Sequence, residues 1–433
     1  MIRLFICFIV LSSCTKNTGG QKAFHLDNKG ISCDADWVNN EQFIICGETS
    51  IYANHENGST QKDAFVLVTN HKTKDVKGFI VGDQLNNFRF ENVNAIQNQF
   101  LFSGYGFENK NAIVAGFSNN MEMKWAFSSD QLQGFEEPKS AVNKDGNFLI
   151  ISKKPDTTPY YGVFSLFTKE GKELWTKKLD HIDVMSDIFS ANNGDFILNY
   201  KEKGAYIDGG TRKKYFISPV LRVSTEGKIT YQMKFLIDRE KFMDLDFHQV
   251  LETKSGDLYF VGSGWTVSNR TDLLIIKTDA NIKIKWSSSY KTDHELAIKA
   301  AILNEKEELI IAADSYGHSG GMLRAAISPS GDVLWNSFNT STPYEQIKTI
   351  NYTKTGYDLI YDKTLSFAAM TTNLEGVSCL GKTSSLTFVR SNAEVILSTH
   401  NAEFEETLAR WKPCELKVKA VSGLKIIEDC GKF

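Results

Sequence analysis

The chain has 433 residues, with 49 lysine and arginine against 52 aspartate and glutamate, a formal net charge of −3, and is 42% hydrophobic and 12% aromatic. Near-neutral charge with no concentrated basic stretch excludes the counterion-releasing groove of a nucleic-acid binder. The length would hold two or three average domains, but the continuous repeat described below argues for one closed body.

The first residues, MIRLFICFIVLSSC, place Arg3 ahead of a short apolar run. That run cannot span a bilayer, and a charged segment followed by such a run reads as a secretory signal. Its end, Leu11-Ser12-Ser13-Cys14, resembles the lipobox of bacterial lipoproteins. The resemblance implies removal of residues 1–13 and a diacylglyceryl thioether at Cys14. It also implies residence in the bacterial cell envelope at the outer membrane, with periplasmic or surface exposure left open. An ordinary signal peptide cut near Ser13 is the alternative. Residues 14–22 then form a polar, glycine-bearing tether.

From residue 23 to residue 382 two markers recur. One is a large residue at Phe79, Trp125, Trp175, Tyr231, Trp286, Trp335 and, more weakly, Leu380. The other is the start of an apolar run at Phe43, Phe100, Phe148, Phe196, Leu258, Leu309 and Tyr357. Both divide the chain into the same seven units. A period of about fifty residues with about four short strands each is the signature of a β-propeller. The expected fold is therefore all-β, with four-stranded antiparallel blades, seven in number with eight as the alternative. The marker aromatics, one per unit, are expected to pack as core between adjacent sheets.

Gly171, Gly227 and Gly331 stand four residues ahead of the marker aromatic, in EGKELW, EGKITY and SGDVLW. They predict hairpin turns in which glycine supplies a positive φ. Units two and five carry Met121 and Ile282 there instead, so the pattern reads as degenerate. Unit four has two long insertions, around KEKGAYIDGGTRKKYF and LIDREKFMDLDF, expected as loops shaping one face of the disc. Its Asp208, Asp244 and Asp246 lack the ligand spacing of a calcium loop, and no metal is assigned.

Residues 383–433 do not make a full repeat. They offer four strand-like runs, with NAEFEETLARW expected as a short helix. The tail could add to the seventh blade, build an eighth or sit outside the ring, with residues 23–33 as a pairing partner. Five cysteines follow Cys14, an odd number. Cys414 and Cys430 flank two runs around Ser422-Gly423, and a hairpin there would join them as a disulfide. Cys46, in FIICG, reads as a small buried hydrophobe.

The eight histidines are scattered, and no HExxH, CxxC, P-loop, nucleophile elbow or dinucleotide fingerprint is present. The stretch from Ser315 to Gly321, SYGHSGG, reads as a hairpin loop rather than a phosphate cradle. No catalytic residue, cofactor or metal is therefore assigned. In its lipobox and its strand-turn-tryptophan repeats, as in Gly171 to Trp175 and Gly331 to Trp335, the chain resembles bacterial propeller lipoproteins and quinoprotein-like propellers. One such family is a scaffold in outer-membrane β-barrel assembly. The resemblance implies a membrane-anchored, non-catalytic scaffold that binds protein partners in the envelope or at the surface through a propeller face. A surface glycan or peptide binder is the second reading, and an enzyme with its site at the channel mouth the third.

Overall fold

The computed structural model describes residues 8–11, 26–27 and 30–428, less a set of inter-strand connections of which residues 50–62 form the longest. The described residues make strands and turns, with no helix among them. They form seven sheets, one for each unit of the sequence repeat. Sheet 1 runs Gly30–Trp37, Gln42–Thr49, Asp63–Asn70 and Asp75–Gly82; sheet 2 runs Phe88–Ile96, Gln99–Gly106, Ala112–Ser118 and Met123–Ser129. Sheet 3 holds Glu136–Val142, Phe148–Lys154, Tyr161–Phe167 and Glu173–Asp180; sheet 4 holds Val184–Ser190, Phe196–Asp208, Thr211–Val223 and Ile229–Ile237. Sheet 5 comprises Phe242–Glu252, Leu258–Thr266, Thr271–Thr278 and Ile284–Lys291, and sheet 6 Glu295–Leu303, Leu309–Tyr316, Gly321–Ile327 and Val333–Thr340. Sheet 7 takes Glu345–Thr353, Gly356–Lys363 and Ser366–Thr372 from the repeat, and its fourth strand, Leu26–Asp27, from the start of the chain. Each innermost strand touches the innermost strand of the next sheet, and that of sheet 7 touches that of sheet 1, so the ring closes.

The strand order explains the hydropathy. Second and third strands lie between neighbouring sheets and are covered on both faces, so they read as unbroken apolar runs: Gly321–Ile327 is buried at every position. First strands line the central channel and alternate, as in Glu295–Leu303. Aromatic clusters fill the gaps between sheets. Phe90 stacks on Phe102 at 4.6 Å in one, and Phe235 meets Phe260 at 4.9 Å in another.

The tail builds no eighth sheet; its strands are spread over the ring, and only the last of them adds to sheet 7. It runs back around the outside of the ring and gives one strand to each sheet in reverse order. Thr383–Ser384 pairs with the fourth strand of sheet 6, Val389–Asn392 with sheet 5, and Val395–Thr399 with sheet 4. Glu405–Glu406 follows on sheet 3, Lys412–Pro413 on sheet 2 and Lys417–Val421 on sheet 1, all antiparallel. The last strand, Lys425–Glu428, reaches sheet 7. The expected helix at NAEFEETLARW is thus a strand at Glu405–Glu406, because the edge of sheet 3 offers backbone partners that an isolated turn of helix lacks. The two runs between Cys414 and Cys430 lie on adjacent sheets and form no hairpin with each other, which removes the geometric basis of the expected disulfide. Cys430 itself lies outside the described residues, and Cys414 is half-buried with its N–H on the Ala126 carbonyl.

Side chains fasten this girdle where it crosses from sheet to sheet. Trp411 meets the Phe167 ring edge-on at 5.4 Å, and its indole N–H donates to Ser165 Oγ at 2.9 Å. Phe404 packs on Phe164 at 5.1 Å. Leu386 is buried, with its backbone N–H on Asn336 Oδ1 and its carbonyl accepting from Asn336 Nδ2. Arg390 spans Asp332 at 2.7 Å and the Ser330 carbonyl, over the face of Trp286.

Sheet 7 differs from the rest. Six sheets have five strands, four of the repeat and one of the girdle; sheet 7 has six, because Phe8–Leu11 lies between Leu26–Asp27 and Lys425–Glu428. The extra strand belongs to the segment that the sequence reads as a leader.

The two faces of the ring differ as well. Turns joining first to second and third to fourth strands are tight, and many close on a residue at positive φ, among them Gly146, Gly171, Gly194, Gly227, Gly256 and Gly331. The longer connections all leave from the opposite strand ends. On that face sheet 4 carries the longest strands among the described residues: the insertion expected as a loop is an extended hairpin, paired through to Asp208 and Thr211. The second insertion is strand at both ends, in Ile229–Ile237 and Phe242–Glu252, with residues 238–241 outside the described residues.

Candidate functional site

Each of the seven innermost strands carries an extra residue relative to its neighbour, and that of sheet 5 carries a second, between Phe242 and Asp244. The register slips between Ser32 and Asp34, Phe90 and Asn92, Glu136 and Lys139, and Met185 and Asp187. It slips again between Phe247 and Gln249, Ile298 and Ala300, and Ile347 and Thr349. A bulge leaves one residue outside the ladder and re-aims its side chain. The occupants include Cys33, Glu91, Ser186, His248, Lys299 and Lys348. Most of them line a central channel of ≈ 660 Å³ together with Asp34, Asp36, Lys139 and Asp187. Among the described residues, the channel is a place where chemistry-bearing side chains from all seven sheets converge.

Three of the carboxylates in its wall are tied to the backbone of the next sheet. Asp34 Oδ2 accepts from the Val93 N–H at 3.0 Å, and Asp36 Oδ2 from the Ala95 N–H at 2.7 Å. Asp187 accepts from the N–H groups of Ile188 and Val250. Gln249 Oε1 takes the Ala301 N–H in the same way, and Asp314 Oδ1 the Ile347 N–H at 3.2 Å. Burial pushes the Asp36 carboxyl up to about 6, with the charge of Asp34 adding to the rise and the Ala95 N–H opposing it. Burial also pushes Asp187 up to about 7 against the ammonium of Lys139, and raises Asp34 against the Val93 N–H and Lys139. The Cys33 thiol is raised by burial and by Glu91, which makes it a poor nucleophile. Cys46 is fully buried, its thiol likewise raised, with Sγ on the Phe90 carbonyl.

The repeated aromatics lie elsewhere. Phe79, Trp125, Trp175, Tyr231, Trp286 and Trp335 sit on fourth strands at the outer part of the ring and are half-buried, where the sequence pattern predicts core. Four of them hold on to the next sheet by a polar atom. The Trp125 indole donates to the Lys169 carbonyl at 2.9 Å, Trp175 to Thr225 at 2.8 Å, and Trp286 to Pro329 at 3.0 Å; the Tyr231 hydroxyl donates to Asn281 at 2.7 Å. Each acceptor is in the tight turn of the following sheet. A Cβ on Gly171 would stand 2.5 Å from the Trp125 ring, and one on Gly227 2.9 Å from Trp175. The turn glycine therefore makes room for the tryptophan of the preceding sheet. Met121 and Ile282 follow the smaller Phe79 and Tyr231. They keep the glycine conformation, at φ 63 and φ 59, and bury their side chains in the same interfaces. The pattern that reads as degenerate within each repeat is a volume exchange between neighbouring ones.

Cys14, the expected lipidation site, lies outside the described residues. The side chains of Asp208, Asp244 and Asp246 do too, and no metal-ligating cluster occurs among the described residues. Ser315 pairs with Gly321 across a hairpin, so the glycine-rich stretch joins two strands. Sequence reasoning missed the channel residues. Their common signal, a polar residue at the bulge of each first strand, is visible only once the register is known.

No protein-family model matches the chain, and no curated protein matches it. Among solved structures it is similar to Drosophila Semaphorin 2a, with a TM-score of 0.50 and 8% identity over 85% of this chain and 76% of that one. It is also similar to a protein of unknown function from Dyadobacter fermentans DSM 18053, with a TM-score of 0.41 and 10% identity over 86% of this chain and 99% of that one. The semaphorin likeness and the cyclic sheets define an all-β, propeller-like fold.

Proposed function

We propose that this protein is an exported bacterial lipoprotein, anchored through Cys14 in the outer membrane, that acts as a non-catalytic scaffold and binds a protein partner on the face carrying the longer connections. The observation that carries the reading is the girdle. A girdle strand of only two to five residues forms the outer edge of every sheet, a short template that disfavours strand addition at the rim. Binding then falls to the two faces. Of these, one is a set of tight turns and the other offers the sheet 4 hairpin and the longer connections. A rigid ring with a polar tether at its start suits a platform held at a membrane.

The anchor is tested by Cys14→Ala, which is expected to abolish labelling by palmitate and release the protein from the membrane fraction; retained labelling refutes it. Stable residence requires more than one acyl chain, which the lipoprotein pathway installs. The face is tested by affinity capture from detergent-solubilised envelope. Replacing residues 203–216 by a two-residue turn is expected to leave the melting temperature unchanged and remove the captured partner, whereas Lys144→Glu with Lys169→Glu on the opposite face keeps it. The reverse outcome places the partner on the tight-turn face.

A further inference from the structure

The tight-turn face holds a cavity of ≈ 510 Å³ between sheets 2 and 3, lined by Lys124, Lys144 and Lys169 together with Asn98, Gln99 and Asp145. Its frame is fixed. Asn143 Oδ1 accepts from the N–H groups of Asp145 and Asn147, and Asn143 Nδ2 donates to the Gly194 carbonyl, which holds the turn that carries Lys144. The Trp125 indole holds the backbone of Lys169, whose stem passes over Gly146: a Cβ there would stand 3.0 Å from Lys169 Cδ. Among the described residues neither the Lys144 nor the Lys169 ammonium forms an ion pair, and Glu122 reaches Lys124 only at 3.8 Å with both side chains exposed. The Gln99 side-chain oxygen is buried and has no hydrogen-bond partner among the described residues. The equivalent groove between sheets 5 and 6 is neutralised from within. There Lys285, which like Lys124 directly precedes the marker tryptophan, lies 2.6 Å from Asp257, and Glu307 accepts from the Lys254 N–H at 2.9 Å. Between sheets 2 and 3 the residues at those two acidic positions are Gln99, directly ahead of the second strand's marker, and Gly146, at the positive φ of the turn. The cation is kept and both acids are lost.

We propose that this cavity binds a phosphate monoester, with Lys144 and Lys169 as its principal cations and Lys124 beside them. Three ammonium groups against one lining carboxylate, Asp145, favour a dianion over a neutral or singly charged ligand. The choice of phosphate over carboxylate follows from the donors. An ammonium is a point charge that meets a tetrahedral group from any side, whereas a planar carboxylate is matched by the fork of an arginine, and no arginine is among the lining residues. The Gln99 oxygen requires a donor, which a hydroxyl of the esterified molecule supplies. The volume lies within the range of small-molecule sites. A soluble sugar phosphate and the headgroup of a phosphatidic acid share this chemistry. The site lies on the face opposite the longer connections and acts whether or not a protein partner is bound there.

Calorimetric titration of the purified mature protein with glucose 6-phosphate and with dihexanoyl phosphatidic acid, a water-soluble lipid monoester, tests this. Both are expected to bind, the first at least tenfold more tightly than glucose or gluconate and the second at least tenfold more tightly than dihexanoyl phosphatidylglycerol, a diester. The tighter of the two monoesters identifies a sugar or a lipid as the source of the group. Lys144→Gln and Lys169→Gln change exposed side chains, and each is expected to keep the melting temperature and reduce affinity for both monoesters tenfold or more. Gln99→Asp, which copies the carboxylate of sheet 5, is expected to pair with Lys124 and weaken both monoesters by about tenfold, while Lys285→Gln at the equivalent groove leaves them unchanged. Glucose or gluconate binding as tightly as glucose 6-phosphate, the diester binding as tightly as phosphatidic acid, indifference to the lysine and Gln99 substitutions, or no heat with either monoester at millimolar concentration each overturns the proposal.

Discussion

The volume exchange between neighbouring repeats can be tested by moving it. Tyr231→Trp alone brings a larger ring against Ile282, whose side chain is 1% exposed in the interface of sheets 4 and 5. Overpacking of that kind costs about 1–3 kcal/mol. Ile282→Gly alone removes a buried side chain, a loss of about 2–5 kcal/mol. It also relieves the left-handed backbone at φ 59, which returns about 1–2 kcal/mol. Together the two substitutions rebuild the arrangement seen at Trp125 with Gly171 and at Trp175 with Gly227, where the ring fills the space above the glycine. The double variant is therefore expected to be more stable than the sum of the single effects by about 1–3 kcal/mol. Urea denaturation of the parent, both single variants and the double variant gives this coupling directly. A coupling within about 0.5 kcal/mol of zero, the usual error for independent sites, refutes the compensation.

Trp411→Ala removes the contact with Phe167 and the bond to Ser165, and is expected to lower stability by about 3–5 kcal/mol in the same denaturation assay, far more than an exposed tail would allow. Stability is also expected to fall as pH rises from about 4 to about 7. Burial raises Asp36 from 3.8 to about 6 and Asp187 from 3.8 to about 7, so the folded protein holds protons that the unfolded chain has already released in that window. Asp187 faces Lys139 and Asp34, and its replacement in Asp187→Asn should flatten the denaturation midpoint between about pH 4 and about pH 7; an unaltered slope counts against a protonated carboxyl there. If residues 1–13 are removed, the strand Phe8–Leu11 leaves sheet 7, and Lys425–Glu428 is expected to close onto Leu26–Asp27 with Leu26 opposite Ile426 and Asp27 opposite Lys425, the register that Ile9 and Phe8 now bridge. Leu26→Cys with Ile426→Cys should then oxidise to a disulfide in the mature chain, since the strand spacing falls from about 10 Å to about 5 Å. A pair that stays reduced shows that the gap does not close.

Local pattern was enough for the repeat. The apolar runs at Phe43, Phe100 and their successors mark second strands covered on both sides, and the glycines at 171, 227 and 331 adopt the positive φ their turns require. Those features depend on a few consecutive residues, so they survive in one dimension. Three others do not. The path of the girdle depends on which sheet edge each short tail segment meets, and Glu405–Glu406 or Lys412–Pro413 carries no strand signal of its own. The exchange of Trp125 with Gly171, and of Tyr231 with Ile282, joins residues about fifty positions apart that touch only because successive sheets pack face to face. The channel ring depends on a one-residue slip in each first strand, and a slip of one residue changes which side chains face the axis. Register and sheet adjacency are long-range properties, and they decided where His248, Lys299 and Lys348 came together.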